Sequence, residues 1–178
     1  AAVLTYYVGK RVGNRIGGLV GVVFLSLTTG VFFYRTTAGM FEHHVAEVLF
    51  MTTAVLAMMA AVTVAEDERP IWELLVQREW DEMRRTTFYS LLAGIALVLY
   101  LWTWPPGVVL VGIFGVFFVI QLSLDYYGNQ SPDHIAFVGV VSMVVVALGT
   151  TARIQEPGFS AATLNYFAPT FALLVAGG

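Results

Sequence analysis

Long apolar runs separated by short polar patches make up most of this chain, and their lengths decide the fold class. Runs of 18 to 21 residues nearly free of charge suit helices crossing a hydrocarbon core of roughly 30 Å, which takes about 20 apolar residues per span. The pattern predicts an all-α, polytopic transmembrane helix bundle of about six spans, at residues 16–34, 45–65, 87–104, 107–124, 135–152 and 159–178. The breaks between them are chemical. Pro105, Pro106 and Gly107 remove backbone donors and permit a tight reversal after the third span, and Asp125 to Asp133 (DYYGNQSPD) has loop composition.

Charge is concentrated between the second and third spans. Of the 21 charged side chains, 11 fall between Glu66 and Arg85. Trp72, Leu75, Val76, Trp80 and Met83 recur there at helical spacing, so the stretch predicts one amphipathic helix over about 70–86 lying on the membrane surface. Trp72, Trp80, Arg84 and Arg85 would form its docking face, and Asp81 and Arg85 a pair one turn apart.

Counting Lys and Arg over the short loops gives seven against two in favour of a cytoplasmic N-terminus, with the charged helix on the same side. Composition agrees with a lipid-dissolved chain: 58% hydrophobic and 12% charged, against about 25% charged in soluble domains. The 178 residues read as a single integral membrane domain. A net charge of −3 without a basic stripe argues against nucleic acid, and the lack of cysteine excludes disulfides and thiolate sites. No cleavable signal is visible in the first apolar run.

Four features carry candidate chemistry. Gly9, Gly13, Gly17 and Gly21 recur every four residues, which on one helix would bare a face for close helix packing, within the chain or against another subunit. Thr28, Thr29, Thr52 and Thr53 fall at one depth in the first two spans, where interhelical or backbone hydrogen bonding is expected of them. Glu42, His43, His44 and Glu47 are the one concentration of metal-binding or proton-handling groups; on a helix His43 and Glu47 would share a face. An acid just inside an apolar span is costly unless it faces the bundle interior or water, which singles out Glu47. In the sixth span Pro169 would free the carbonyl of Asn165, breaking the helix beside a polar side chain as at some membrane pathways.

No motif names a cofactor, so the cofactor is unknown at this level. The residues favour a non-catalytic transmembrane subunit of a larger membrane complex or transport system, surrounded by lipid and partnered by other membrane subunits or by itself. The alternatives are a permease or channel with its own pathway and, more remotely, a membrane enzyme or metal/proton site at Glu42, His43, His44 and Glu47.

Overall fold

The computed structural model describes residues 1–27, 43–67, 71–155 and 157–177, apart from the side chains of His43, Ile71, Trp72 and Leu75. Every regular element among them is helical: α1 (Ala2–Val12), α2 (Arg15–Leu27), α3 (His43–Glu66), α4 (Ile71–Gln77), α5 (Trp80–Thr103), α6 (Val108–Tyr127), α7 (Asp133–Thr151) and α8 (Phe167–Gly177), with a 3-10 turn at Pro105–Gly107. Four of the described helices are long and apolar enough to cross a membrane, at His44–Glu66, Trp80–Thr103, Pro105–Tyr127 and Asp133–Thr151. The helical membrane domain stands, whereas six full spans do not: α2 and α8 are shorter apolar helices. Part of the expected first span, with Thr28 and Thr29, lies outside the described residues.

The bundle centre is the packing of α5 against α3 on one side and α7 on the other. Small side chains make it close. Ala54, Ala57, Ala61 and Ala65 of α3 and Ala93 and Ala96 of α5 are buried, and Leu97, Leu101, Val138, Met143 and Val146 fill the space between. At the α5–α7 crossing a methyl on Gly94 would come 2.7 Å from Val145 Cβ and 2.8 Å from the Ser142 carbonyl oxygen, so only glycine fits. Close approach through small residues is how helices associate where lipid removes the usual hydrophobic driving force.

The glycines at four-residue spacing do not lie along one helix. The chain breaks at Gly13, and the Asn14 side-chain oxygen accepts from the backbone N–H groups of Ile16 (2.8 Å) and Gly17 (3.1 Å), capping α2. Helices α1 and α2 therefore fold back on each other, and the glycines are consumed within that hairpin. Arg11 donates to Thr63 Oγ1 at 3.2 Å, tying the hairpin turn to the end of α3.

The amphipathic helix expected over 70–86 is interrupted. Arg78 adopts a left-handed conformation (φ 57°), which ends α4, and Trp80 begins α5, so the second half of the charged stretch is the first two turns of a spanning helix. The break turns the stripe: Leu74 and Met83 are buried, whereas Val76 and Trp80 are exposed. Asp81 pairs with Arg84 at 3.7 Å rather than with Arg85, and both partners are solvent-exposed, so the pair adds little. The Trp72 side chain lies outside the described residues.

The expected sixth span is helical only from Phe167. Before it, residues 152–155 and 157–166 form turns and bends held by Gln155 N–H to the Leu164 carbonyl (2.9 Å) and Tyr166 N–H to the Gly158 carbonyl (3.3 Å). Pro169 is the third residue of α8, where a missing N–H has no helical partner to lose. It starts the helix instead of breaking it.

Candidate functional site

Two ends of the bundle differ in chemistry. At one end lie the α1–α2 turn, the end of α3 and the start of α5, with Lys10, Arg11, Arg15, Arg78, Arg84 and Arg85. At the other lie the start of α3, the end of α5 and the loop 152–166. The candidate group at 42–47 belongs to this second end.

Its described members are His44 and Glu47, in the first turns of α3. His44 Nδ1 lies 3.0 Å from Glu47 Oε2, a spacing the helix supplies to residues three apart. The carboxylate side chain is 19% exposed and the imidazole 31%, so the acid sits on the core side of the histidine. His44 thus contacts Glu47; the pairing expected between His43 and Glu47 falls on a His43 side chain that, like Glu42, lies outside the described residues. Across the interface Tyr100 of α5 is buried. The Tyr100 ring fits because Gly107 turns the chain over it: a methyl on Gly107 would collide with the ring.

Around this pair the helix ends are fixed by aromatic side chains. Trp102 Nε1–H donates to the Gly149 carbonyl at 3.2 Å, the Arg153 guanidinium carbon stands 5.3 Å from the Trp102 ring centre, and Trp104 leans on Tyr100 with centroids 6.2 Å apart. Asn165, 2% exposed, organises the neighbouring loop: its amide donates to the Ser160 carbonyl (2.9 Å) and to Thr163 Oγ1 (3.1 Å), and its oxygen accepts from Phe167 N–H (2.8 Å). Asn165 caps α8. Thr52 and Thr53 spend their hydroxyls on α3's own carbonyls, at 2.7 Å to Val48 and 2.7 Å to Leu49.

The basic end holds a second polar group that sequence reasoning passed over. Asp125 is buried; Gln121 Nε2 donates to its Oδ1 at 2.9 Å, and His134 Nε2 stands 3.7 Å from its Oδ2. The signal was the four-residue step from Gln121 to Asp125 at the close of an apolar run. Among the described residues no group of three or more His, Cys, Asp or Glu side chains converges to hold a metal ion.

The chain resembles proteins of known activity along almost its whole length. It is 47% identical over 174 residues to the dolichyl-monophosphooligosaccharide–protein glycotransferase AglB of Haloferax volcanii, covering 98% of this chain and 16% of that protein. It is 24% identical over 171 residues to the dolichyl-phosphooligosaccharide–protein glycotransferase 3 of Archaeoglobus fulgidus, covering 96% of this chain and 18% of that one. Among solved structures, the fold matches the Archaeoglobus fulgidus oligosaccharyltransferase AglB in complex with an inhibitory peptide and a dolichol-phosphate (TM-score 0.82, 21% identity, 99% of this chain and 20% of that one). It also matches the Archaeoglobus fulgidus oligosaccharyltransferase tethered by a disulfide to an acceptor peptide containing the NVT sequon (TM-score 0.80, 21% identity, again 99% and 20%). The chain spans about a sixth of the length of the curated relatives it matches. Kinship with catalytic glycotransferases overturns the expectation of a non-catalytic subunit, and that of a permease or channel with it. Residues 1–177 match the family model of the oligosaccharyl transferase STT3 N-terminal region, and the chain belongs to that family.

Proposed function

We propose that this chain is a membrane-embedded portion of an oligosaccharyltransferase that moves an oligosaccharide from a dolichyl monophosphate carrier to a protein acceptor. The observation that carries this reading is the 47% identity to the Haloferax volcanii glycotransferase over 98% of the chain. The carrier is a membrane lipid and the acceptor is not, so the chemistry belongs at a membrane surface. The group Glu42, His43, His44 and Glu47 is then this portion's contribution to metal or proton handling, at the surface opposite the basic end.

On the same reading the basic end, with Lys10, Arg11, Arg15, Arg84 and Arg85, faces the cytoplasm, because cytoplasmic loops carry the excess of Lys and Arg. Trp72 and Trp80 anchor that end at the headgroups. The 178 residues act as one integral membrane unit whose exposed apolar faces, such as Val109, Ile113 and Val116 of α6, meet lipid or further membrane helices.

The test is transfer itself. Full-length protein in its own membrane lipid, given a dolichyl-monophosphate-linked oligosaccharide and a fluorescent peptide containing Asn-Val-Thr, is expected to produce glycopeptide by mass spectrometry, and none with Gln-Val-Thr. No glycopeptide from intact donor and folded protein would reject the proposal.

A further inference from the structure

We infer that the groove between the first turns of α5 and Phe137 of α7, at the basic end of the bundle, seats the headgroup of an anionic phospholipid, with Arg84 and Arg85 on its phosphate. The inference does not use the transferase reading, so either can fail alone.

Trp80, Arg84, Thr87, Phe88 and Leu91 step by three and four residues along α5, so they share one face, and Phe137 of α7 closes the side. Together they wall an open groove of about 800 Å³, within the range of small-molecule sites. Its chemistry changes with depth. Charged residues crowd the chain up to Arg85 and none follows from Thr86 to Thr103, which sets the two arginines where the helix leaves the hydrocarbon. Phe88 and Leu91 lie one and two turns deeper than Arg84 and are exposed, as is Trp80 at the outer end. Cations above and aromatic and aliphatic surface below match the order of phosphate and acyl chain in a phospholipid, and basic pockets between spanning helices bind acidic headgroups. No acid is among the described residues that line the groove. Asp81 reaches Arg84 at 3.7 Å but is 98% exposed, so water screens the pair and a phosphate can replace it. A further membrane helix over the groove would bury two guanidiniums, which is costly without acids to meet them. Phosphate supplies both the charge and the paired acceptors that a guanidinium fits.

The test uses full-length protein in vesicles of equimolar phosphatidylglycerol and phosphatidylcholine, with the photocrosslinking residue p-benzoylphenylalanine in place of Leu91 and mass spectrometry of the crosslinked product. Crosslinks to phosphatidylglycerol are expected to outnumber those to phosphatidylcholine by about 5-fold or more, the scale of one arginine acting on an anionic headgroup. With Arg84→Gln and Arg85→Gln together, the ratio should fall to that of the bulk lipid. An unenriched ratio with both arginines present overturns the inference without any further variant, which covers a double variant that fails to fold. Enrichment that persists in the folded double variant overturns it as well. Crosslinks to another segment of the protein in place of lipid also overturn it, since a helix then covers the groove. Inorganic phosphate, compared with chloride at equal ionic strength, should leave the ratio unchanged; a ratio that falls with phosphate marks a site for the free anion and overturns the lipid assignment.

Discussion

Gly9 and Gly17 face each other backbone to backbone across the turn at Gly13. A methyl on Gly9 would come 2.8 Å from the Gly17 carbonyl oxygen, and one on Gly17 would come 2.9 Å from that of Gly9. Real Cβ atoms do not approach so closely, and the neighbours here are backbone that cannot rotate away. Gly9→Leu or Gly17→Leu should therefore pry α1 from α2 at a cost of about 1–3 kcal/mol, the usual scale of overpacking. Gly158→Ala is the control, since nothing lies within 4 Å of its added methyl. Thermal unfolding of the full-length protein should show a lowered Tm for the first two and an unchanged one for the third.

That hairpin shows how much the chain's pattern disclosed. Four glycines at equal spacing mark a stretch bare of side chains, and Gly9 and Gly17 of them approach backbone to backbone; that signal does not depend on direction. Periodicity cannot say whether the approaching helix is foreign or the same helix turned back. Asn14, able to cap a new helix just after Gly13, held that information in one residue. The spanning helices α3, α5, α6 and α7 were legible because lipid imposes their length. The turn at Arg78 was not, since a left-handed arginine leaves no compositional trace. At the candidate site, the cluster at 42–47 was visible as a concentration of acids and histidines, but the contact of His44 with Glu47 depends on helix phase. The family was illegible because no motif in the chain names it; the likeness over residues 1–177 supplied it.

Trp102 joins α5 to α7 through its indole N–H to the Gly149 carbonyl and to the loop after α7 through the guanidinium of Arg153 over its ring. Trp102→Phe keeps an aromatic face and loses the donor, which should cost about 0.5–1.5 kcal/mol. Arg153→Met should cost about 0.5–1 kcal/mol on its own. In a Trp102→Leu background the Arg153 change should become nearly silent. A double-mutant cycle by thermal unfolding checks this, and purely additive effects would mean the two side chains are neighbours without interaction.

Asp125 tests what a buried acid contributes at the basic end. Its Oδ1 is satisfied by Gln121, while its Oδ2 is buried without a hydrogen bond and has His134 at 3.7 Å. Asp125→Asn keeps an acceptor for Gln121 and removes a charge that is costly to bury, so stability should be unchanged or higher. Asp125→Ala leaves the Gln121 amide without that acceptor and should lose about 1–3 kcal/mol. A fall of similar size in Asp125→Asn would show that the contact with His134 contributes to stability.

Pro169 and Asn165 give opposite expectations depending on where α8 begins. Were the proline inside a helix starting near 159, replacing it would restore a hydrogen bond and straighten the span, stabilising the protein by up to about 3 kcal/mol. As the third residue of α8 it forfeits no helical bond, so Pro169→Ala should shift stability by less than about 1 kcal/mol, mainly through the unfolded chain. Asn165 should be the sensitive position. Asn165→Leu removes the acceptor of the Phe167 N–H and the donor to Ser160 and Thr163, of which Ser160 is exposed and Thr163 and Phe167 are half-buried. The loss should reach about 1–3 kcal/mol, the scale of one unsatisfied group, since water can replace part of what the amide supplied. Limited proteolysis across residues 152–166 reports it directly: cleavage should accelerate in Asn165→Leu and remain at the wild-type rate in Pro169→Ala.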